Sequence, residues 1–119
     1  MIKEIELHDR LIKLRMLFEL SDKAFNNYLE EKFYLHALCI KKSNSLIYEY
    51  ILDNAYYWPK DLQMHLINLL NHFDIWFTQF SNFEIEKDYK LNEPFVFFHL
   101  DNKSAYPKNS VDYIKSYTY

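Results

Sequence analysis

Residues 59–82 read PKDLQMHLINLLNHFDIWFTQFSN, and this stretch sets the fold class. Its large apolar side chains recur at spacings of four and three, the repeat of an α-helix that buries one face. They are Leu62, Leu66, Leu69, Phe73, Trp76 and Phe80. Pro59 suits the first turn of a helix, and Asp61 complements the positive end of the helix dipole. The pattern therefore predicts a helix that begins near Pro59 and frays near Ser81 and Asn82.

The start of the chain carries a similar repeat. Residues 2–20 are predicted to form a helix with a core-facing seam made of Leu7, Leu11, Leu14 and Phe18. A second apolar stripe lies on nearly the opposite side and consists of Ile5, Ile12 and Met16. A helix with two apolar stripes either packs between two neighbours or binds something with its second stripe.

The next segment contains one start signal and one ambiguity. Ser21 and Asp22 form an N-cap signal, so a second helix is predicted from about residue 22 into the forties. Residues 41–45, KKSNS, are polar and poor in helix formers. They fit a kink, a short loop or an exposed turn, which leaves open whether this helix is continuous. Residues 53–58 are predicted to connect it to the helix that begins near Pro59.

The last third of the chain is less regular. Residues 84–94, EIEKDYKLNEP, are charge-rich and predicted to be exposed. The apolar run 95–100, FVFFHL, fits either a buried strand or a buried helical turn, because periodicity does not separate the two over so short a run. Asn92 and Pro94 are typical of a helix start and favour the helical alternative.

The expected fold is all-α. Ser110 is predicted to cap a last short helix over residues 111–117. With 119 residues the chain has the size of one domain, 1–119, and is long enough to bury a core without a metal or a disulfide. We expect a single compact helical bundle of three main helices plus short C-terminal elements.

Composition excludes several classes of function. The chain has no glycine, so it lacks the phosphate-binding loop, the dinucleotide fingerprint and the strained nucleophile turn. The net charge is −3 and the only tight basic pair is Lys41-Lys42, which argues against nucleic acid as a partner. The charged N-terminus and the lack of a long apolar run predict no signal peptide and no membrane span. Since Cys39 is the only cysteine, no intramolecular disulfide forms, and a cytoplasmic location is expected.

Neither a metal site nor a catalytic site is predicted. His65 and His72 lie seven residues apart on one predicted helix, and His36 could join them in a bundle core. The spacings typical of helical metal ligands are absent, however, so we expect no metal and no cofactor. Arg10 and Arg15, the only arginines, are not followed by the histidine that a small helical ribonuclease uses. The chain is therefore interpreted as a non-enzymatic protein with no catalytic residues.

Two patches are candidates for binding a partner. Aromatic residues make up 19% of the chain, more than a core of this size needs, and exposed aromatic side chains favour protein interfaces. Carboxylates beside aromatic anchors suit a basic protein. The candidate partner-binding residues are Glu84, Glu86, Asp88, Glu93, Tyr56, Tyr57 and Trp58.

In size, helical bias, acidic charge, abundance of amino acids with AT-rich codons and lack of catalytic residues, the chain resembles the small immunity proteins of bacterial toxin systems. The all-helical immunity proteins of contact-dependent growth-inhibition systems are the nearest comparison. The resemblance implies a cytoplasmic inhibitor that binds the basic nuclease domain of a cognate toxin, with carboxylates in the positions that RNA phosphates take. Two alternatives remain open: a phage or mobile-element protein that inhibits a host protein, and a small helical enzyme with an unrecognised site.

Overall fold

The computed structural model of the chain describes residues 4–97 and 106–117, with side-chain detail from residue 6 onward within those ranges. These residues form four α-helices and one short 3₁₀ turn, which confirms the expected all-α class. The helices are α1 (Glu4–Glu31), α2 (Tyr34–Asp53), α3 (Lys60–Glu84) and α4 (Lys108–Lys115), and the 3₁₀ turn covers Ala55–Tyr57. The only bridge between extended segments in the described part pairs Phe33 with Pro94.

The first helix is longer than predicted. It runs through Ser21 and Asp22 to Glu31, so the predicted N-cap at this pair is wrong. The Ser21 hydroxyl donates to Asn44 Oδ1 of α2 at 3.2 Å and is therefore used between helices. The true break lies at Lys32, which has a left-handed φ of 52° and donates its backbone N–H to the carbonyl of Tyr28. Lys32 thus fills the helix-ending position that glycine usually occupies.

The second helix is continuous. It begins at Tyr34, not near residue 22, and passes through residues 41–45 without interruption. Asn44 is buried where it accepts the hydrogen bond from Ser21, and the Ser43 hydroxyl donates to the carbonyl of Cys39. The polar segment stays helical because the Asn44 side chain is hydrogen-bonded to α1 and the Ser43 hydroxyl is hydrogen-bonded to a carbonyl of α2 itself.

The predicted apolar seams of α1 and α3 are confirmed. Every residue of the seam Leu62–Phe80 and of the seam Leu7–Phe18 is buried. The second stripe of α1 is different: Ile12 is 42% exposed and Met16 is 53% exposed, and the Ile5 side chain lies outside the described part. The core consequently lies on one side of α1, and the other side faces solvent.

The core has two neighbouring parts. One part joins α1, α2 and α3 to α4 and contains the N-terminal seam of α1. The other part is rich in aromatic side chains and lies where α1 and α3 end and α2 begins. Its buried aromatic residues are Tyr28, Trp76, Phe80, Phe95 and Phe97.

The segment after Pro94 is irregular over residues 95–97, so the prediction of a helix is wrong for these residues. Phe95 donates its backbone N–H to the carbonyl of Lys32 at 2.8 Å. Phe95 and Phe97 are buried while Val96 is exposed, an alternation that a helix does not produce. Residues 98–100 of the predicted run lie outside the described residues.

The last helix begins earlier than predicted. Pro107, not Ser110, immediately precedes α4. Ser110 lies inside the helix and is buried against α3, where its hydroxyl accepts a hydrogen bond from Asn68 Nδ2 at 3.1 Å. The cap prediction failed because this serine is used between helices.

The described molecule is elongated, with extents of 49 × 23 × 21 Å. α1 packs mainly on α2, and α4 packs on α3. None of the helices within residues 4–97 and 106–117 combines the length and the apolar character that crossing a membrane requires.

Candidate functional site

The two predicted patches lie at opposite ends of α3. Tyr56, Tyr57 and Trp58 precede this helix, and the acidic stretch begins at its last residue, Glu84. A helix of 25 residues is about 37 Å long at 1.5 Å per residue. A typical interface covers roughly 800 Å² on each partner, a disc about 32 Å across. One flat contact of typical size therefore does not reach both patches.

Two of the three residues of the aromatic patch are buried or half-buried in the fold. Trp58 is only 4% exposed, and its indole Nε1 donates to the carbonyl of Ile51 at 2.9 Å. The prediction of Trp58 as a partner-binding anchor is therefore wrong, because burial of the ring stabilises the junction of α2 and α3. Tyr57 is half-buried under the guanidinium of Arg10, which lies 3.4 Å from the ring centroid. Tyr56 alone projects into solvent, with 95% of its surface exposed.

Glu84 anchors the acidic stretch to α2. Its carboxylate accepts a 2.5 Å hydrogen bond from the Tyr34 hydroxyl and pairs with Lys41 Nζ at 3.1 Å. Burial raises the pKa of Tyr34 to about 12, and the hydrogen bond to Glu84 is the second largest cause. Glu84 is thus already paired within the chain.

Glu93 closes the stretch on itself. Its carboxylate lies 2.9 Å from Lys87 Nζ, and its backbone carbonyl accepts a hydrogen bond from the N–H of Tyr34. The hydrogen bond from Lys87 lowers the pKa of Glu93, and the same contact raises the pKa of Lys87. Lys87 Nζ also lies 5.2 Å from the ring centroid of Tyr89, so it is held from two sides.

The remaining two predicted acids face solvent. Glu86 and Asp88 are exposed, and no hydrogen bond or ion pair ties either side chain to the described residues. The structure thus divides the four predicted carboxylates into two that brace the loop and two that are available to a partner.

Exposed apolar side chains accompany these two carboxylates, and sequence reasoning missed them. Ile85 is 82% exposed, Leu91 is 55% exposed, and Leu35 at the start of α2 is also exposed. The backbone N–H of Leu35 donates to the carbonyl of Leu91 at 3.0 Å, so these two residues are neighbours. The sequence did contain a signal for them, because Ile85 and Leu91 are isolated apolar residues within the charged stretch 84–94. We call this surface, made of Leu35, Ile85, Glu86, Asp88 and Leu91, the end face.

A rigid aromatic platform lies beneath the end face. The ring of Phe95 lies 4.8 Å from that of Tyr89 and 5.0 Å from that of Phe83, measured between centroids. The hydroxyl of Tyr28, a fully buried residue, donates to the carbonyl of Phe95 at 2.6 Å. These contacts hold the loop after α3 against the core next to the end face.

A polar cluster at the other end of the molecule contains a serine and a histidine in contact. His65 Nδ1 lies 3.0 Å from Ser110 Oγ, and the His65 ring stacks on Tyr113 with centroids 4.0 Å apart. The hydroxyls of Tyr113 and Tyr117 both donate to the carboxylate of Asp61. Because Ser110 is buried and already accepts a hydrogen bond from Asn68, the arrangement fixes α4 on α3 and does not present a nucleophile.

The histidines considered for a metal are dispersed. His65 faces Tyr113, His72 lies against the ring of Tyr106, and His36 stacks on Phe33 near the opposite end of the molecule. Within the described ranges no three potential metal ligands come together.

Comparisons with protein-family models, with curated proteins and with solved structures found no match to this chain.

Proposed function

We propose that the chain is a non-enzymatic binding protein, and that it serves as a cytoplasmic immunity protein that neutralises the nuclease domain of a cognate bacterial toxin. The observation that carries the proposal is the end face. Two carboxylates, Glu86 and Asp88, are exposed beside the side chain of Ile85 on a loop held by ion pairs and aromatic packing, and neither has a hydrogen bond or ion pair among the described residues.

The chemistry of such a surface suits a basic nuclease. A nuclease binds the phosphates of its substrate with lysine and arginine, and carboxylates placed on those cations exclude the substrate. Opposite charges also speed the encounter of the two proteins, which favours an inhibitor that must act before the toxin does. An inhibitor of this kind needs no cofactor and no catalytic group.

A fixed loop makes such binding stronger. Ordering a mobile segment on association costs free energy that is subtracted from the affinity. The contacts of Glu84 with Lys41 and of Glu93 with Lys87 order the loop before any partner arrives. Less of the free energy of binding is then lost to ordering the loop, and the affinity is higher.

Co-expression with a toxin tests the proposal. A nuclease toxin domain taken from a gene that flanks the gene of this chain is induced in cells that carry either the chain or an empty vector, and survival is scored. We expect survival only with the chain. Death of cells in which the protein is folded and abundant would contradict the proposal.

A further inference from the structure

We propose that the end face docks a basic protein surface that has an apolar centre, with Ile85 and Leu91 as apolar anchors and Glu86 and Asp88 as the charges that select the partner. The identity of that partner as a toxin rests on the proposed function above. The docking chemistry rests on the surface itself.

Exposure of the apolar side chains is the first argument. Three apolar residues from two segments, Leu35, Ile85 and Leu91, are exposed at one end of the molecule. The fully buried centre of a protein interface is more apolar than its rim, which is the position that such side chains suit. A partner that covers these residues removes them from water and gains affinity.

The charges around the exposed apolar side chains determine the charge of the partner. Besides Glu86 and Asp88, the C-terminal ends of α1 and α3 both lie at this end, and neither helix has a basic residue in its last turn. Each helix C-terminus carries a partial negative charge, while among the described helices α2 alone has its N-terminus here, where Tyr34 N–H donates to the carbonyl of Glu93.

Two lysines, Lys32 and Lys90, also lie at this end, and the exposed Glu30 and Glu31 at the end of α1 offset their charge. Glu86, Asp88 and the two helix ends therefore leave the rim of the apolar patch negative on balance, and it complements lysine and arginine.

The internal ion pairs assign different roles to the four acids. Glu84 and Glu93 position the loop, because their carboxylates form ion pairs with Lys41 and Lys87. Glu86 and Asp88 are the contacting residues. Reversing the charge of the contacting pair should weaken binding directly and leave the fold intact, since changes at exposed positions cost little stability.

Two variants with matched controls test these roles. The first is the double variant Glu86→Lys/Asp88→Lys, and its control is Glu49→Lys/Asp53→Lys on the exposed side of α2. The second is Ile85→Ala, and its control is Ile67→Ala, which removes an exposed isoleucine from the outer face of α3. Each protein is checked by circular dichroism before its affinity is measured.

The first probe is the nuclease toxin domain used in the survival assay, inactivated at its catalytic site. We expect the double variant and Ile85→Ala each to raise Kd roughly tenfold or more, a change typical of hot-spot residues. The control variants should bind as the wild type does. Wild-type affinity in both end-face variants would overturn the proposal.

The second probe separates this proposal from the immunity function. A synthetic amphipathic peptide of leucine and lysine is titrated into ¹⁵N-labelled protein, and amide shifts are followed by NMR. If the toxin domain does not bind the wild-type chain, the immunity function is wrong. The docking proposal is then tested by the peptide titration alone. Shifts confined to Leu35 and residues 85–91 support it, whereas shifts centred elsewhere, or none, overturn it.

Discussion

The hydroxyl of Tyr28 provides a sharp test of how the loop after α3 is held. Tyr28 is fully buried, and its hydroxyl donates to the carbonyl of Phe95 at 2.6 Å and accepts the N–H of Phe97 at 3.4 Å. Tyr28→Phe keeps the ring and its packing but leaves the Phe95 carbonyl without this donor. A buried polar group that loses its partner costs about 1–3 kcal/mol, and the longer contact to Phe97 adds little. We therefore expect a loss of about 2 kcal/mol in the free energy of unfolding.

Thermal unfolding followed by circular dichroism measures this loss. For a domain of this size, 2 kcal/mol corresponds to a fall in Tm of roughly 6–12 °C. Tyr56→Phe is the matched control, because it removes the same hydroxyl from a residue that is 95% exposed, and its Tm should equal that of the wild type. A Tm for Tyr28→Phe within 1 °C of the wild type would refute the claim that this hydroxyl holds the loop to the core.

Two further predictions concern the core and the response to pH. Leu69→Ala and Phe73→Ala should each lower the free energy of unfolding by roughly 2–5 kcal/mol in urea denaturation, because both side chains are buried in the α3 seam; unchanged midpoints would show that the seam is not the core. The pKa of Tyr34 is raised to about 12, so its neutral form is favoured in the folded state, and its stabilising contribution is complete below pH 10 and lost as the pH rises toward 12. Absorbance titration near 295 nm should show that the amplitude lost in Tyr34→Phe comes from the tyrosines that ionise at the highest pH. Loss of amplitude near pH 10 instead would contradict the assignment.

The helical seams could be predicted from the sequence because they are local patterns. Leu62–Phe80 repeats its apolar residues every three or four positions, and burial of that face needs no knowledge of the partners. The end of α1 could not be predicted in the same way. Helices commonly end at glycine, and a chain without glycine gives no such signal, so the left-handed Lys32 passed unnoticed.

The candidate site was predictable only in part. The position of the acidic stretch after α3 followed from its composition, but the roles of its members depend on partners distant in sequence. Lys41 and Tyr34 lie 43 and 50 residues from Glu84, and no local pattern links them. Trp58 was misassigned for a related reason, since its burial depends on how α2 and α3 meet.

The central claim is that the chain inhibits by binding, one molecule for one. Purified toxin domain at a fixed concentration well above Kd is titrated with the chain, and residual nuclease activity is measured. The account predicts a linear fall that reaches zero at one molecule of the chain per toxin domain. Full activity at a large excess of the chain, or complete inhibition at far less than one molecule per toxin domain, would contradict it.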